Sequence, residues 1–241
     1  MAVSKAVAWL DERRRREEPF FTWLHLINPH APYSDGSSPE EFGHEEIDRY
    51  DEEIARADAA LGPLLDALDR FERDGQPVVT AVFSDHGEAF GEHGRYYHAD
   101  DLHEEVLRVP LLVRVPGAPS SRLRALTSLL DLHATVLSLT GLPAQTGASR
   151  SFAPFLFAPE TCRNRPACIR DSLRAEIERS QSSSAQMRAL VARPWKLIHD
   201  VEHGAWELYN LGVDRGERTN LYDASPGKAS SLRARLLDAH D

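Results

Sequence analysis

Val78-Val79-Thr80-Ala81-Val82-Phe83-Ser84-Asp85-His86-Gly87-Glu88 is the stretch on which the reading of this chain turns. Its first part is apolar and β-branched, as a short buried strand requires, and the polar residues that follow end it. In open α/β sheets, ligands gather at the carboxyl ends of parallel strands, so Asp85 and His86 emerge where such folds bind. Gly87 permits a sharp exit. A carboxylate oxygen and a neutral imidazole nitrogen both ligate divalent metals, which makes Asp85 and His86 a candidate metal pair. The same residues also fit an Asx-type turn with a satisfied histidine, and spacing alone weighs the two readings equally. Two adjacent ligands are also fewer than the roughly four or more that a metal takes.

Upstream lies the clearest helical pattern in the sequence. Ile47, Tyr50, Ile54, Ala57, Leu61, Leu64, Leu65, Leu68 and Phe71 recur mostly three and four apart, as one buried face demands. Gly75 ends it. Before this helix, Ser34 to Gly43 is loop by composition. Phe20 to Ile27 reads as a strand apolar on both faces, stopped by Asn28-Pro29-His30-Ala31-Pro32-Tyr33. Strand, crossover helix and strand make a βαβ unit and predict a mainly parallel sheet, with His30 at the same edge as Asp85. Ser4 to Glu18 reads as a surface helix with Ser4 as its cap, and Arg13 to Arg16 as its solvated face.

Downstream, Glu88, Glu92, His93, His98, Asp100, Asp101, His103, Glu104 and Glu105 crowd one loop, which reads for the most part as a solvated acidic segment leading into a helix. Val109 to Val115 predicts a further strand and Leu129 to Leu139 a helix closed by Gly141 and Pro143. Beyond residue 145 the composition shifts. Met187 to Val191, Lys196 to His199 and Trp206 to Tyr209 read as a small antiparallel sheet with a turn at His203-Gly204 and a helix at Lys228 to Ala239. Trp195, Trp206, Tyr209 and Tyr222 are expected in its core. The expected division is thus 1–145, an α/β body, and 146–241, a small β-sheet and helix subdomain.

Composition narrows the function classes. The 241 residues carry 28 Lys and Arg against 38 Asp and Glu, a net charge of −10, which argues against a nucleic-acid or anionic-membrane surface. The two cysteines, Cys162 and Cys168, are too few for a disulfide scaffold and wrongly spaced for a zinc knuckle. The chain shows no signal peptide and no apolar run long enough to span a bilayer, so as written it reads as cytoplasmic. It has no Gly-x-Ser-x-Gly elbow, phosphate-binding glycine loop or His-Glu-x-x-His motif.

Taken in order, several segments resemble the sulfatase family of the alkaline phosphatase-like superfamily. They are Pro19-Phe20-Phe21 with His25, Pro29-His30-Ala31-Pro32-Tyr33, Tyr50-Asp51 to Gly62, Phe83 to Glu88, and Gly91-Glu92-His93-Gly94. Arg108-Val109-Pro110-Leu111 and Ser128-Leu129-Leu130-Asp131-Leu132 with Thr135 continue the series. Lys196-Leu197-Ile198 and Glu207-Leu208-Tyr209-Asn210-Leu211 with Asn220-Leu221 close it.

The resemblance implies an α/β/α sandwich, incomplete here, with a C-terminal antiparallel subdomain, and hydrolysis of sulfuric esters with a divalent metal. Calcium comes first by family; the imidazole of His86 would also suit manganese or zinc. It implies Asp85 and His86 as metal ligands and His30 as a catalytic histidine that contacts the sulfate or assists the departing alkoxide. His98 stands where many members have a lysine, and a histidine carries a full positive charge only toward acidic pH. The strand ending in paired aspartates with which the family begins, and its Cys/Ser-x-Pro-x-Arg nucleophile motif, are not found in the 241 residues. The chain therefore reads as a C-terminal portion, inactive alone, that a complementing N-terminal half would complete. Two other readings stand beside this one. The first keeps the fold but cleaves a phosphate ester, as a phosphodiesterase, phosphonate hydrolase or phosphoglycerol-type transferase; the second is a non-catalytic remnant that binds a partner.

Overall fold

Two compact units, Met1–Thr80 and Ala81–Asp241, make up the chain in a computed structural model. The structure describes residues 2–33, 42–143, 147–161, 169–179, 183 and 185–238. Cys162, Cys168, most of the expected 34–43 loop, the expected boundary at 145–146 and Ala239 lie outside the described residues.

The first unit is a helix pair. Helix α1 (Ala2–Arg16) starts ahead of the expected cap, so Ser4 lies inside it. Helix α2 (Glu46–Arg73) follows the apolar periodicity and is entered through Asp48, whose carboxylate accepts the Glu45 N–H at 2.9 Å. Leu10 from α1 and Ala67, Leu68 and Phe71 from α2 form the core between them, with Val7, Trp9, Phe20, Leu64 and Val78 around it. Burying a leucine or phenylalanine here stabilises by about 1.5–3 kcal/mol. Arg70 pairs with Asp11 at 3.0 Å across the two helices, and Arg16 with Glu12 at 2.6 Å; Arg15 and Arg16 are exposed as expected of a solvated face, whereas Arg13 and Arg14 are partly buried.

The expected strand over Phe20–Ile27 is not formed. This segment has no ladder partner among the described residues and runs as irregular chain. Phe20 leaves the period-2 pattern and stacks edge-on to Trp9 and tilted against Phe71, with centroids 5.5 and 5.3 Å apart. Phe21, Trp23 and Ile27 are exposed. An apolar alternation specifies a strand only where a neighbouring strand takes up its N–H and C=O groups. The βαβ unit read from the sequence therefore lacks its first strand here.

The second unit opens on β1 (Thr80–Phe83), which pairs with β4 (Leu111–Arg114). Between them lie a hairpin of β2 (Ala89–Phe90) and β3 (Tyr96–Tyr97), and the single turn of α3 (Glu104–Leu107). Helix α4 (Leu129–Leu139) matches its expected bounds, and the Ser128 hydroxyl caps it by accepting the Leu130 N–H. It is followed by α5 (Ala153–Phe157). Leu132, Phe152 and Ile169 form a core under β1 and β4, with Ala81, Phe83, Leu111 and Val113.

The remainder is the expected antiparallel sheet, widened by one strand: β5 (Leu173–Ile177), β6 (Met187–Ala192), β7 (Trp195–Asp200) and β8 (Ala205–Asn210), in that order. Alternation along β6 separates two cores. Met187, Ala189 and Val191 join Ile198, Tyr209, Leu102 and Leu126, while Leu190 and Ala192 join Leu197 and Leu208. Helix α6 (Pro226–Leu237) covers the second face with Ala229, Leu232 and Leu236. Trp195, Trp206 and Tyr222 pack against that face and Tyr209 is buried on the other, as expected of subdomain core. No described helix is long and apolar enough to cross a membrane.

Candidate active site

β1 delivers Asp85 and His86 at its carboxyl end. The Asp85 carboxylate accepts the His86 N–H at 3.1 Å, the Asx-type turn that the sequence also allowed, and its side chain remains largely exposed. The turn and the metal pair are therefore compatible. The His86 ring donates Nδ1–H to the Gly87 carbonyl at 2.8 Å, which leaves Nε2 with the lone pair, 3.8 Å from Asp85 Oδ1. An accessible carboxylate beside an imidazole in that tautomer fits a divalent cation as two of its ligands. Gly87 is required here: a Cβ at this position would lie 1.9 Å from the Glu105 carbonyl oxygen, because the chain passes directly over α3. The Gly87 N–H donates to Val106 O at 2.8 Å and locks that crossing.

The β2–β3 hairpin brings His98 to the same place. Its register sets Ala89 opposite Tyr97, so the next residue out on each side, Glu88 and His98, also meet. His98 Nδ1 lies 2.9 Å from Glu88 Oε1, and its ring stacks on His86 with centroids 3.8 Å apart. Asp85, His86, His98 and the buried Glu88 thus form one group. His30 belongs to the other unit, where it is exposed between Pro29 and Pro32, with Nδ1 2.6 Å from the Ala31 carbonyl.

The rest of the His- and acid-rich loop corrects the reading of a solvated segment. Asp101 and His103 are buried, Glu105 is partly buried and His93 is exposed, and one ligand atom from each lies within 4.8 Å of all the others, so this group could hold a metal ion. His93 Nδ1 is 2.6 Å from Glu105, and His103 bridges Asp101 at 2.5 Å and Glu207 at 3.0 Å. Burial depresses the His103 imidazolium, but hydrogen bonds to Asp101 and Glu207 outweigh that and raise it to about 9. The Glu207 carboxyl is held below its ordinary value, chiefly by its hydrogen bond with His103.

Alongside, Lys196 is fully buried and pairs with Glu217 at 2.9 Å and Glu104 at 3.3 Å. Burial pushes the Glu217 carboxyl up against the pull of Lys196. Sequence reasoning placed Lys196 in a strand and Glu104 in a solvated loop, and nothing in their local spacing signals that the two, 92 residues apart, pair. The one available signal was a lysine inside an apolar run, Trp195 to Ile198, since a buried lysine demands a carboxylate.

The chain matches known proteins over most of its length. The sulfatase family pattern covers residues 2–142, and that of the N-sulphoglucosamine sulphohydrolase C-terminal region covers 91–239. The chain is a member of the sulfatase family, with the α/β fold of the alkaline phosphatase-like superfamily and a C-terminal antiparallel sheet. Among characterised relatives, it is 28% identical over 240 residues to arylsulfatase K of Gallus gallus, across 93% of this chain and 44% of that one. It is 28% identical over 195 residues to an endo-4-O-sulfatase of Bacteroides thetaiotaomicron, across 68% of this chain and 38% of that one. The sulfatase-like protein yidJ of Bacteroides fragilis superposes with a TM-score of 0.79 at 17% identity, over 98% of this chain and 56% of the other. The chain spans less than half the length of these two curated relatives.

Proposed function

We propose that this chain supplies the metal-binding edge and the ester-facing histidines of a sulfuric-ester hydrolase. The observation that carries the reading is the group at the end of β1. Asp85 and His86 form an accessible ligand pair with His86 Nε2 as acceptor, and His98 is stacked on it and steadied by the buried Glu88. Membership of the sulfatase family supports the choice of sulfate over other esters.

Asp85 and His86 would hold the divalent cation, whose chemistry would be to polarise the ester and neutralise developing charge. With Nδ1–H donated to Glu88, His98 would act on the ester through Nε2. That nitrogen accepts a proton when the ring is neutral and donates one to an ester oxygen when the ring is charged. His30 has Nδ1 at the Ala31 carbonyl, and its role is to contact the sulfate or hand a proton to the departing alkoxide. No Cys/Ser-x-Pro-x-Arg motif occurs in the 241 residues, so the nucleophile comes from a complementing segment with that motif. We assign calcium as the cation on family grounds, with manganese or zinc the alternatives that the His86 nitrogen favours.

The test is hydrolysis of 4-nitrophenyl sulfate and of a phenylphosphonate monoester, by the purified chain alone and by the chain joined to a segment bearing the motif. Each is assayed with calcium, manganese and zinc. The reading expects no turnover by the chain alone, and sulfate release in preference to phosphonate cleavage once the motif is supplied. Faster cleavage of the phosphonate would move the protein to the phosphoryl-transfer branch. Inactivity of the joined form with every cation would leave the partner-binding remnant as the better account.

A further inference from the structure

We propose that His93, Asp101, His103 and Glu105 form a second metal site, separate from the Asp85–His86 edge, that takes a zinc-class divalent cation as a structural clamp. The argument begins with hydrogen-bond bookkeeping. His93 presents Nε2 to the Glu217 carbonyl at 3.0 Å and Nδ1 to Glu105 Oε1 at 2.6 Å. His103 presents Nδ1 to Asp101 Oδ1 at 2.5 Å and Nε2 to Glu207 Oε2 at 3.0 Å. All four ring nitrogens therefore face oxygen acceptors, yet a neutral imidazole has a single N–H. Each ring, when neutral, lacks one positive centre.

Two protons could supply them, but the rings are stacked 3.7 Å apart and only 5° from parallel. Two imidazolium charges face to face at that distance repel each other in a half-dry environment. One divalent cation supplies the same charge without that repulsion. The acids around the rings call for it: Asp101, Glu105 and Glu207 lie against them, while Lys196 is shared between Glu104 and Glu217.

An independent observation points into the same space. Asp101 is 2% exposed, and its second oxygen, Oδ2, is buried without a hydrogen-bond partner. A buried carboxylate oxygen left unpaired costs about 1–3 kcal/mol or more, unless something absent from the protein chain meets it. His93 and Glu217 also adopt left-handed backbone, with φ of 54° and 50°, which fits residues held by their surroundings.

Two imidazoles and two carboxylates, with Asp101 and His103 buried, make the donor set of a four-ligand site, and borderline-soft nitrogen donors select zinc over calcium. Such a clamp would tie the hairpin turn at His93 to the start of α3. His98 lies between these two anchors in the chain, so the clamp would hold the segment that carries it.

The experiment strips the purified chain with chelator and titrates zinc by calorimetry, with cobalt absorption as a second readout. It compares the wild type with Asp85→Asn/His86→Ala and with Asp101→Asn/His103→Gln. The Asp85/His86 variant should retain about one equivalent of zinc, with a tetrahedral cobalt spectrum, while the Asp101/His103 variant binds about 100-fold more weakly or worse. Zinc-edge absorption on the Asp85/His86 variant should count two imidazoles. If near-UV circular dichroism shows that the Asp101/His103 variant does not fold, His93→Gln, whose side chain lies nearer the surface, takes its place. Zinc binding lost with Asp85/His86 and kept without Asp101 and His103 would overturn the proposal, and so would a stripped wild-type chain that binds none on titration.

Discussion

Two stacked histidine pairs lie within one stretch of this chain and are built for opposite purposes. His86 and His98 sit at the open end of β1, with Asp85 largely exposed beside them. His93 and His103 sit a few residues away in sequence, set among Asp101, Glu105 and Glu207, the last of these carried by β8. The first pair rests on the buried Glu88 beside the exposed Asp85; the second meets protein groups at every nitrogen. Accessible polar groups can be changed with little effect on folding, and enclosed ones cannot.

The largest effect should come from the open pair. In the form completed with the nucleophile motif, Asp85→Asn should lower kcat/KM for 4-nitrophenyl sulfate by about 10³-fold, about 4 kcal/mol of barrier. Its urea midpoint should shift by no more than about 0.5 kcal/mol. A stability loss as large as the activity loss would erase the distinction between the pairs.

The enclosed region should behave in reverse. Lys196→Ala leaves Glu217 buried without its ammonium and should cost about 3–5 kcal/mol in urea unfolding of the isolated chain. Near-wild-type stability would show that Glu217 takes up a proton at no cost.

Gly87→Ala connects the two regions, since its Cβ would strike the Glu105 carbonyl. A loss of about 1–3 kcal/mol is expected, with faster hydrogen exchange in α3 as its signature.

The smallest effect lies away from both pairs. Burial raises the Asp131 carboxyl, but Arg170 and the N–H groups of Ser128 and Arg150 together outweigh it and hold it below its ordinary value of 3.8. A carboxyl depressed on folding contributes stability above its unfolded value, and that stability is lost as pH falls through the folded one. Asp131→Asn should therefore cost about 1–2 kcal/mol at neutral pH, with the difference from wild type shrinking below pH 3.8 in acid-unfolding curves.

The open pair was legible in the sequence because its signals are local. An apolar run ends in Ser84-Asp85-His86-Gly87-Glu88, and one strand end explains them all. Helix α2 was legible for the same reason, as a single period sustained over seven turns' worth of chain. The enclosed pair was not. His93, Asp101, His103 and Glu105 share no period, and it takes the left-handed turn at Gly91, the β2–β3 hairpin and α3 to gather them.

Phe20–Ile27 failed in the opposite direction. Its alternation is that of a strand, but a strand is a property of two segments, and the second is not among the described residues. Strand β5 carries a period-2 pattern, Leu173, Ala175 and Ile177 alternating with Arg174 and Glu176, but a run of five residues in an arginine- and serine-rich region gives that pattern little length to show itself.

The enclosure of Lys196 has a practical side for anyone who handles the protein. The chain has three lysines, Lys5, Lys196 and Lys228, and burial removes the middle one from reach of amine-directed reagents while the others remain exposed. Dyes, biotin or surface coupling through lysine will therefore attach near the two ends of the polypeptide and leave the stretch between Asp85 and Glu105 chemically untouched. Labelling at Lys196 itself would appear only once the subdomain opens, which makes that amine a built-in reporter of unfolding.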